Sequence, residues 1–147
     1  MYQRILVATD GSELSEKAVA SAIELAALMG AELVALRVVP RYPQSYFEGA
    51  LSLDPQDIAR VESQWNDEAQ AAVDAIKATA TTQGVVAQAI TSQADLVAES
   101  VIAAAKKYDC DLIVMASHGR RGIKRVLLGS ETQHVLTHSH IPVLVLR

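Results

Sequence analysis

Residues 115–130 carry the side chains and the spacing best suited to holding an anion. Gly119, Gly122 and Gly129 stand among four cationic residues with no acidic one, and the segment ends at Gly129-Ser130, where a helix can begin. Backbone amides at a helix N-terminus bind phosphate groups, so the pattern predicts a phosphate site. The alternative is that the glycines only shape turns and the cations form a solvated face. The spacing matches neither the P-loop nor the Gly-x-Gly-x-x-Gly motif.

Asp10, in the turn Thr9-Asp10-Gly11-Ser12, is the second candidate binding residue. A carboxylate at the end of a strand can accept hydrogen bonds from ribose hydroxyls. The same carboxylate can instead cap the helix that begins near Ser12. Asp10 and residues 115–130 form one crevice only if the strands that precede them are neighbours in the sheet.

Other reactive side chains give weaker signals. His134 and His138 stand four residues apart and can share a helix face, but no His-Glu-x-x-His motif or second cysteine accompanies them, so no metal site is expected. Cys110 lies between Asp109 and Asp111, two acids that raise the pKa of its thiol and favour packing over reactivity.

Apolar runs and helical patterns alternate along the chain and place the candidate residues at strand ends. Strands are predicted at 5–8, 33–39, 85–90, 111–116 and 143–146, with 85–90 near a sheet edge. Helices are predicted at about 12–30, 54–84, 95–107 and 130–139, with N-terminal caps at Ser12, Asp54 and Asp95 and a C-terminal cap at Gly30. Residues 40–53 are expected to form a mobile surface loop.

This alternation predicts one α/β domain over residues 1–147, with an open parallel five-stranded sheet, helices on both faces and a Rossmann-like topology. Ligands of such sheets bind beyond the C-terminal strand ends, where the strand order reverses. The residues after the first and fourth strands are therefore expected to form the binding crevice.

Composition narrows the class of partner. The formal net charge is -4, which gives no general attraction to nucleic acid or to an anionic membrane. Neither a signal peptide nor a membrane-spanning apolar stretch is recognisable in the sequence. The single cysteine excludes an intrachain disulfide and favours a reducing compartment, so a cytoplasmic location is expected.

Four motifs together resemble the universal stress protein family over the whole chain. They are the first strand with Thr9-Asp10-Gly11-Ser12, residues 111–115 with Ser117-His118-Gly119, Leu127-Leu128-Gly129-Ser130, and Pro142-Val143-Leu144-Val145. The nucleotide-binding branch of that family carries Gly-x2-Gly-x9-Gly followed by Ser or Thr. Gly119-x9-Gly129-Ser130 matches the last part of this pattern, whereas its first glycine falls on Ala116.

The resemblance implies an ATP site, with Mg²⁺ accompanying the nucleotide and an adenine-nucleotide-hydrolase-like fold around it. The adenosine end would be formed by Ala8, Thr9 and Asp10, with Val38 on the adenine and Ala116 on the ribose. The phosphates would lie along His118, Gly119 and Arg120 and at the start of the last helix, Gly129, Ser130, Glu131 and Thr132.

The resemblance further implies a cytoplasmic stress-response protein that binds ATP and changes its contacts with a regulatory protein partner. A homodimer is expected through the fifth strand, Val143–Leu146, because an exposed apolar edge strand is usually covered. Two alternatives stay open. One is a slow ATPase or self-phosphorylating enzyme, with His118 as base and Ser130 as phosphate acceptor. The other is a nucleotide-free dimerisation module, which Ala116 favours and the intact Gly119–Ser130 half of the pattern opposes.

Overall fold

The structure is a computed structural model that describes residues 1–43, 54–119 and 128–147. Most of the surface loop expected at 40–53 lies outside these residues. Arg120 and Gly122 of the predicted phosphate site lie outside them as well. Among the residues described, no helix combines the length and the apolar character needed to cross a membrane.

The described residues form a parallel five-stranded sheet with four helices, as the alternating pattern predicts. The strands are β1 (Arg4–Ala8), β2 (Glu32–Val39), β3 (Ala87–Gln93), β4 (Leu112–Ala116) and β5 (Val143–Leu146). The helices are α1 (Glu13–Met29), α2 (Pro55–Thr82), α3 (Val97–Lys107) and α4 (Ser130–His138). The strand order is β3-β2-β1-β4-β5, with all neighbours parallel. Strands β2 and β3 are added on one side of β1, and β4 and β5 on the other, so the strand order reverses between β1 and β4.

Alternate residues of the central strands build two apolar layers, one on each face of the sheet. Ile5 and Val7 of β1 pack with α1 and α2, whereas Leu6 packs on the opposite face with α3 and α4. Successive side chains of a strand point to opposite faces, and both faces are covered here, which explains why these strands are continuously apolar.

Most of the predicted helix caps are confirmed. The Ser12 hydroxyl accepts a hydrogen bond from the amide of Ser15, and Gly30 ends α1 in the left-handed region with φ 66°. Asp54 caps α2 by accepting from the amide of Gln56, and Pro55 opens that helix.

Two boundary predictions are wrong. Asp95 does not cap α3: Leu96 occupies the N-cap position, and the carboxylate of Glu131 accepts the Ala98 amide from across the fold. The third strand runs over Ala87–Gln93 rather than 85–90, because its pairing with β2 continues as far as Gln93. Its polar C-terminal half is tolerated because β3 is an edge strand, and the predicted edge position is confirmed.

Candidate nucleotide site

A cavity of about 190 Å³ opens at the C-terminal ends of β1 and β4. The two strands are hydrogen-bonded neighbours, with Leu6 opposite Ile113, so the adjacency that the crevice requires is confirmed. Nine of the predicted binding residues line the cavity: Ala8, Thr9, Asp10, Val38, Ala116, His118, Gly119, Glu131 and Thr132. Gly129 and Ser130 are described but are not among the residues that line it.

One wall of the cavity is apolar and comes from three elements. Leu36 and Val38 of β2, Val97 and Val101 of α3, and Met115 of β4 form it. The sequence predictions include only Val38 of these residues. Leu36 was detectable, because it precedes Val38 by two residues and must share its face of the strand. Val97 and Val101 stand four residues apart on one helix face, but their spacing alone predicts burial and not a cavity wall.

Asp10 faces Gly119 across the crevice. One carboxylate oxygen of Asp10 accepts the amide of Ser12 at 2.9 Å, so the side chain supports the turn before α1, while Ser12 is the helix cap. A Cβ atom placed on Gly119 would overlap the Asp10 carboxylate. A side chain at position 119 would therefore require the Asp10 carboxylate to move.

Hydroxyl groups hold the end of β1 to the start of α1. The Ser15 hydroxyl donates to the carbonyl of Ser12 at 2.9 Å, which leaves its oxygen to accept from the Thr9 hydroxyl at 3.0 Å. The Thr9 hydroxyl in turn accepts the amide of Gly11 at 3.2 Å. The hydrogen-bonding groups of the Thr9 and Ser15 hydroxyls are therefore satisfied by each other and by the neighbouring backbone.

The first turn of α4 is fixed to the end of β4 by two short hydrogen bonds. The amide of Gly129 donates to the carbonyl of Ser117 at 2.7 Å, and the buried hydroxyl of Thr132 donates to the carbonyl of Ala116 at 2.9 Å. A Cβ atom on Gly129 would lie 3.3 Å from that Ser117 oxygen. Since the Gly129 amide is already committed, the amides of the first helical turn are the ones that an anion can use.

Glu131 joins α4 to α3 at the rim of the cavity. Its carboxylate accepts the amide of Ala98 at 2.8 Å, in the first turn of α3. This contact takes the place of the missing local cap and puts a negative charge at the positive end of the α3 dipole. It also fixes the turn of α3 that carries Val97, a residue of the apolar wall.

The family model for universal stress proteins matches residues 1–147, the full length of the chain. The chain belongs to the universal stress protein family. The curated universal stress protein MJ0531 from Methanocaldococcus jannaschii is 33% identical over 148 residues, which cover 100% of this chain and 83% of the relative.

Two solved structures extend the comparison. The universal stress protein UspA from Lactobacillus plantarum has a TM-score of 0.85 at 26% identity and covers 99% of this chain and 98% of that one. A universal stress protein solved in complex with cAMP has a TM-score of 0.71 at 25% identity, covering 99% of this chain and 97% of its own. These structures share the fold of this universal stress protein.

The remaining reactive side chains of this universal stress protein have local roles. Burial of Cys110, with Asp111 and Asp109 nearby, raises the pKa of its thiol to about 11, although Arg4 partly opposes the shift. The direction agrees with the expectation from the two acids, but burial is the larger cause.

The rings of His134 and His138 stack with centroids 4.1 Å apart, and the Nδ1 atom of His138 lies 3.0 Å from the carbonyl oxygen of His134. The described parts of the chain contain no group of three or more side chains able to hold a metal ion.

Proposed function

We propose that this universal stress protein binds ATP, as its Mg²⁺ complex, in the crevice between the ends of β1 and β4, and acts as a nucleotide-dependent homodimeric regulator in the cytoplasm. The observation that carries the proposal is the cavity at the switch point of the sheet, lined by an apolar wall and by Asp10. The structural similarity to a family member solved with cAMP supports an adenine nucleotide as the ligand.

The small volume of the cavity favours binding of the adenosine part of the nucleotide over enclosure of the whole nucleotide. Its volume of about 190 Å³ is below the roughly 300–1,000 Å³ typical of pockets that enclose a drug-sized ligand. We therefore assign the base to the apolar wall around Val38 and Val101, and the ribose hydroxyls to the Asp10 carboxylate.

The described lining of the cavity offers phosphate groups backbone amides rather than cationic side chains. Among the described residues that line it, Asp10 and Glu131 are acidic and there is no Lys or Arg. The first-turn amides of Ser130, Glu131 and Thr132 offer donors at a positive helix end, where we assign the phosphates. We assign Mg²⁺ to the phosphates of ATP, where it neutralises charge, rather than to a separate protein site.

Ala116 occupies the position of the first glycine in the family pattern and does not close the cavity. It is the last residue of β4, pairs with Leu146 of β5 and lines the open volume. The methyl group at this position therefore leaves the cavity open. An open cavity here supports nucleotide binding over a nucleotide-free dimerisation module.

The edge of β5 has the hydrogen-bonding groups that a second copy needs. The carbonyl of Pro142 accepts the amide of Ile113 in β4 at 2.9 Å, and the carbonyl of Leu146 accepts the amide of Ser117, the residue after β4, at 2.7 Å. Because the N–H and C=O of one residue in a parallel strand point to the same side, the alternate residues Val143 and Val145 direct theirs away from β4. We assign homodimerisation to this edge, with Leu144, which is 41% exposed, adding apolar contact.

Calorimetric titration with ATP and Mg²⁺ tests the site. We expect the wild type to bind in the micromolar range, about -8 kcal/mol. Gly129→Val should lose at least about tenfold in affinity, because its side chain would push the start of α4 away from Ser117.

Gly30→Ala is the matched control for this titration. Gly30 has φ 66° and lies at the opposite end of the sheet, so the substitution costs stability without touching the cavity. Its ATP affinity should match that of the wild type. Absence of binding by the wild type, or equal binding by Gly129→Val, would refute the proposal.

A further inference from the structure

A second cavity lies on the face of the sheet opposite the nucleotide crevice. Helix α1 packs mainly on β1 and β4, whereas α2 packs on β2 and β3, so the two helices leave a groove of about 400 Å³ between them. Its apolar walls include Val19 and Ile23 of α1 and Ala72 and Ile76 of α2. None of these side chains lines the nucleotide crevice.

Two opposite charges line the same groove near the C-terminal ends of β1 and β2. Arg37 projects from β2 on the face of Ala35, and Glu16 belongs to the first turn of α1. Neither takes part in any ion pair formed between described residues, so the two groups are more than 4.0 Å apart at their charged atoms. The hydroxyl-bearing residue Thr9 lines the groove beside them.

This combination matches a ligand that carries both charges and one apolar group. A carboxylate alone would satisfy Arg37 but would meet the like charge of Glu16, and an amine alone would meet the reverse problem. We propose that the groove binds a free apolar α-amino acid. Its carboxylate lies on the Arg37 guanidinium, its ammonium group on Glu16, and its side chain among Val19, Ile23 and Ile76.

Apart from Thr9, the groove and the nucleotide crevice have different lining residues. Thr9 is the residue that lines both cavities, because it lies at the end of β1 between the two faces of the sheet. Arg37 and Glu16 line the groove and not the crevice. Loss of amino-acid binding can therefore be measured separately from loss of ATP binding.

The test is a titration of the full chain with L-leucine, followed by methyl and amide chemical shifts. We expect saturable shifts at Ile23 and Ile76, with a dissociation constant at or below about 1 mM. The deaminated probe 4-methylpentanoate and the decarboxylated probe 3-methylbutylamine should each bind at least about tenfold more weakly, because each leaves one charge of the groove unpaired.

Variants locate the site. Arg37→Gln and Glu16→Gln should each weaken leucine binding about tenfold or more, while Arg41→Gln and Glu13→Gln, matched changes outside the groove, should leave it within about twofold. Amide spectra of the same samples, unchanged outside the groove, show that the variants are folded, and an ATP titration of them should agree with that of the wild type within about twofold. No saturable shift with leucine, equal binding of the deaminated probe, or unchanged binding by Arg37→Gln would overturn the proposal.

Discussion

Replacing Thr132 by valine isolates the hydrogen bond that ties α4 to the end of β4. The Thr132 side chain is 3% exposed, and its hydroxyl donates to the carbonyl of Ala116 at 2.9 Å. Valine keeps the β-branched shape, so the preferred rotamer stays available, but it removes the donor. A buried polar group that loses its partner costs about 1–3 kcal/mol, and we expect the free energy of unfolding to fall by that amount.

The matched control is Thr137→Val in the same helix. The Thr137 hydroxyl donates to the carbonyl of Gln133 at 2.8 Å, but this residue is exposed, so water replaces the lost donor and the change should stay within about 0.5 kcal/mol. Urea unfolding followed by circular dichroism measures both variants. A loss of about 1–3 kcal/mol corresponds to a melting temperature lower by about 2–10 °C in a chain of this length. Equal stability of Thr132→Val and Thr137→Val would refute the reasoning.

Three further predictions follow from other contacts. Glu131→Ala should weaken ATP binding, measured by calorimetry, because it loosens the α3 turn that carries Val97. Glu131→Gln keeps an acceptor for the Ala98 amide and should retain most of the ATP affinity. Equal loss of affinity in both variants would contradict the positioning role. Burial raises the pKa of the Cys110 thiol to about 11 in the folded chain, so the thiol of the unfolded chain ionises at lower pH. The wild type should therefore lose stability relative to Cys110→Ala as the pH rises from about 9 to about 11. Parallel profiles of stability against pH for the two proteins would contradict this. Val145→Pro removes an amide that points away from β4 and should give a monomer in sedimentation with the fold retained, and a persistent dimer would count against the β5 interface.

The fold could be predicted from the sequence because its signals are local and agree with one another. The apolar runs fit strands covered on both faces, and the caps at Ser12 and Gly30 follow from side-chain chemistry within one turn. The start of α3 could not be predicted in this way. Its first-turn amide is satisfied by Glu131, which is 33 residues away in the chain, and no local pattern marks such a contact.

Candidate site residues that follow strand ends could be predicted from the sequence. Residues that line the cavity only through the packing of a helix could not. Asp10 and Gly119 follow the ends of neighbouring strands within three residues, so the strand order brings them together. Val101 lines the cavity because α3 packs against β2, and its sequence spacing is that of any core residue. The spacing of Gly129 predicts a binding residue, but its amide bonds to Ser117, which only the folded chain reveals.

We propose that an adenine nucleotide occupies the crevice at the ends of β1 and β4. The most direct measurement is a methyl spectrum of the valine-labelled protein during titration with ATP and Mg²⁺. We expect saturable shifts of the methyl groups of Val38, Val97 and Val101, which line the cavity, and none at the exposed Val86 near the opposite end of the sheet. Saturable ATP binding that leaves these three residues unshifted, or no binding at all, would contradict it.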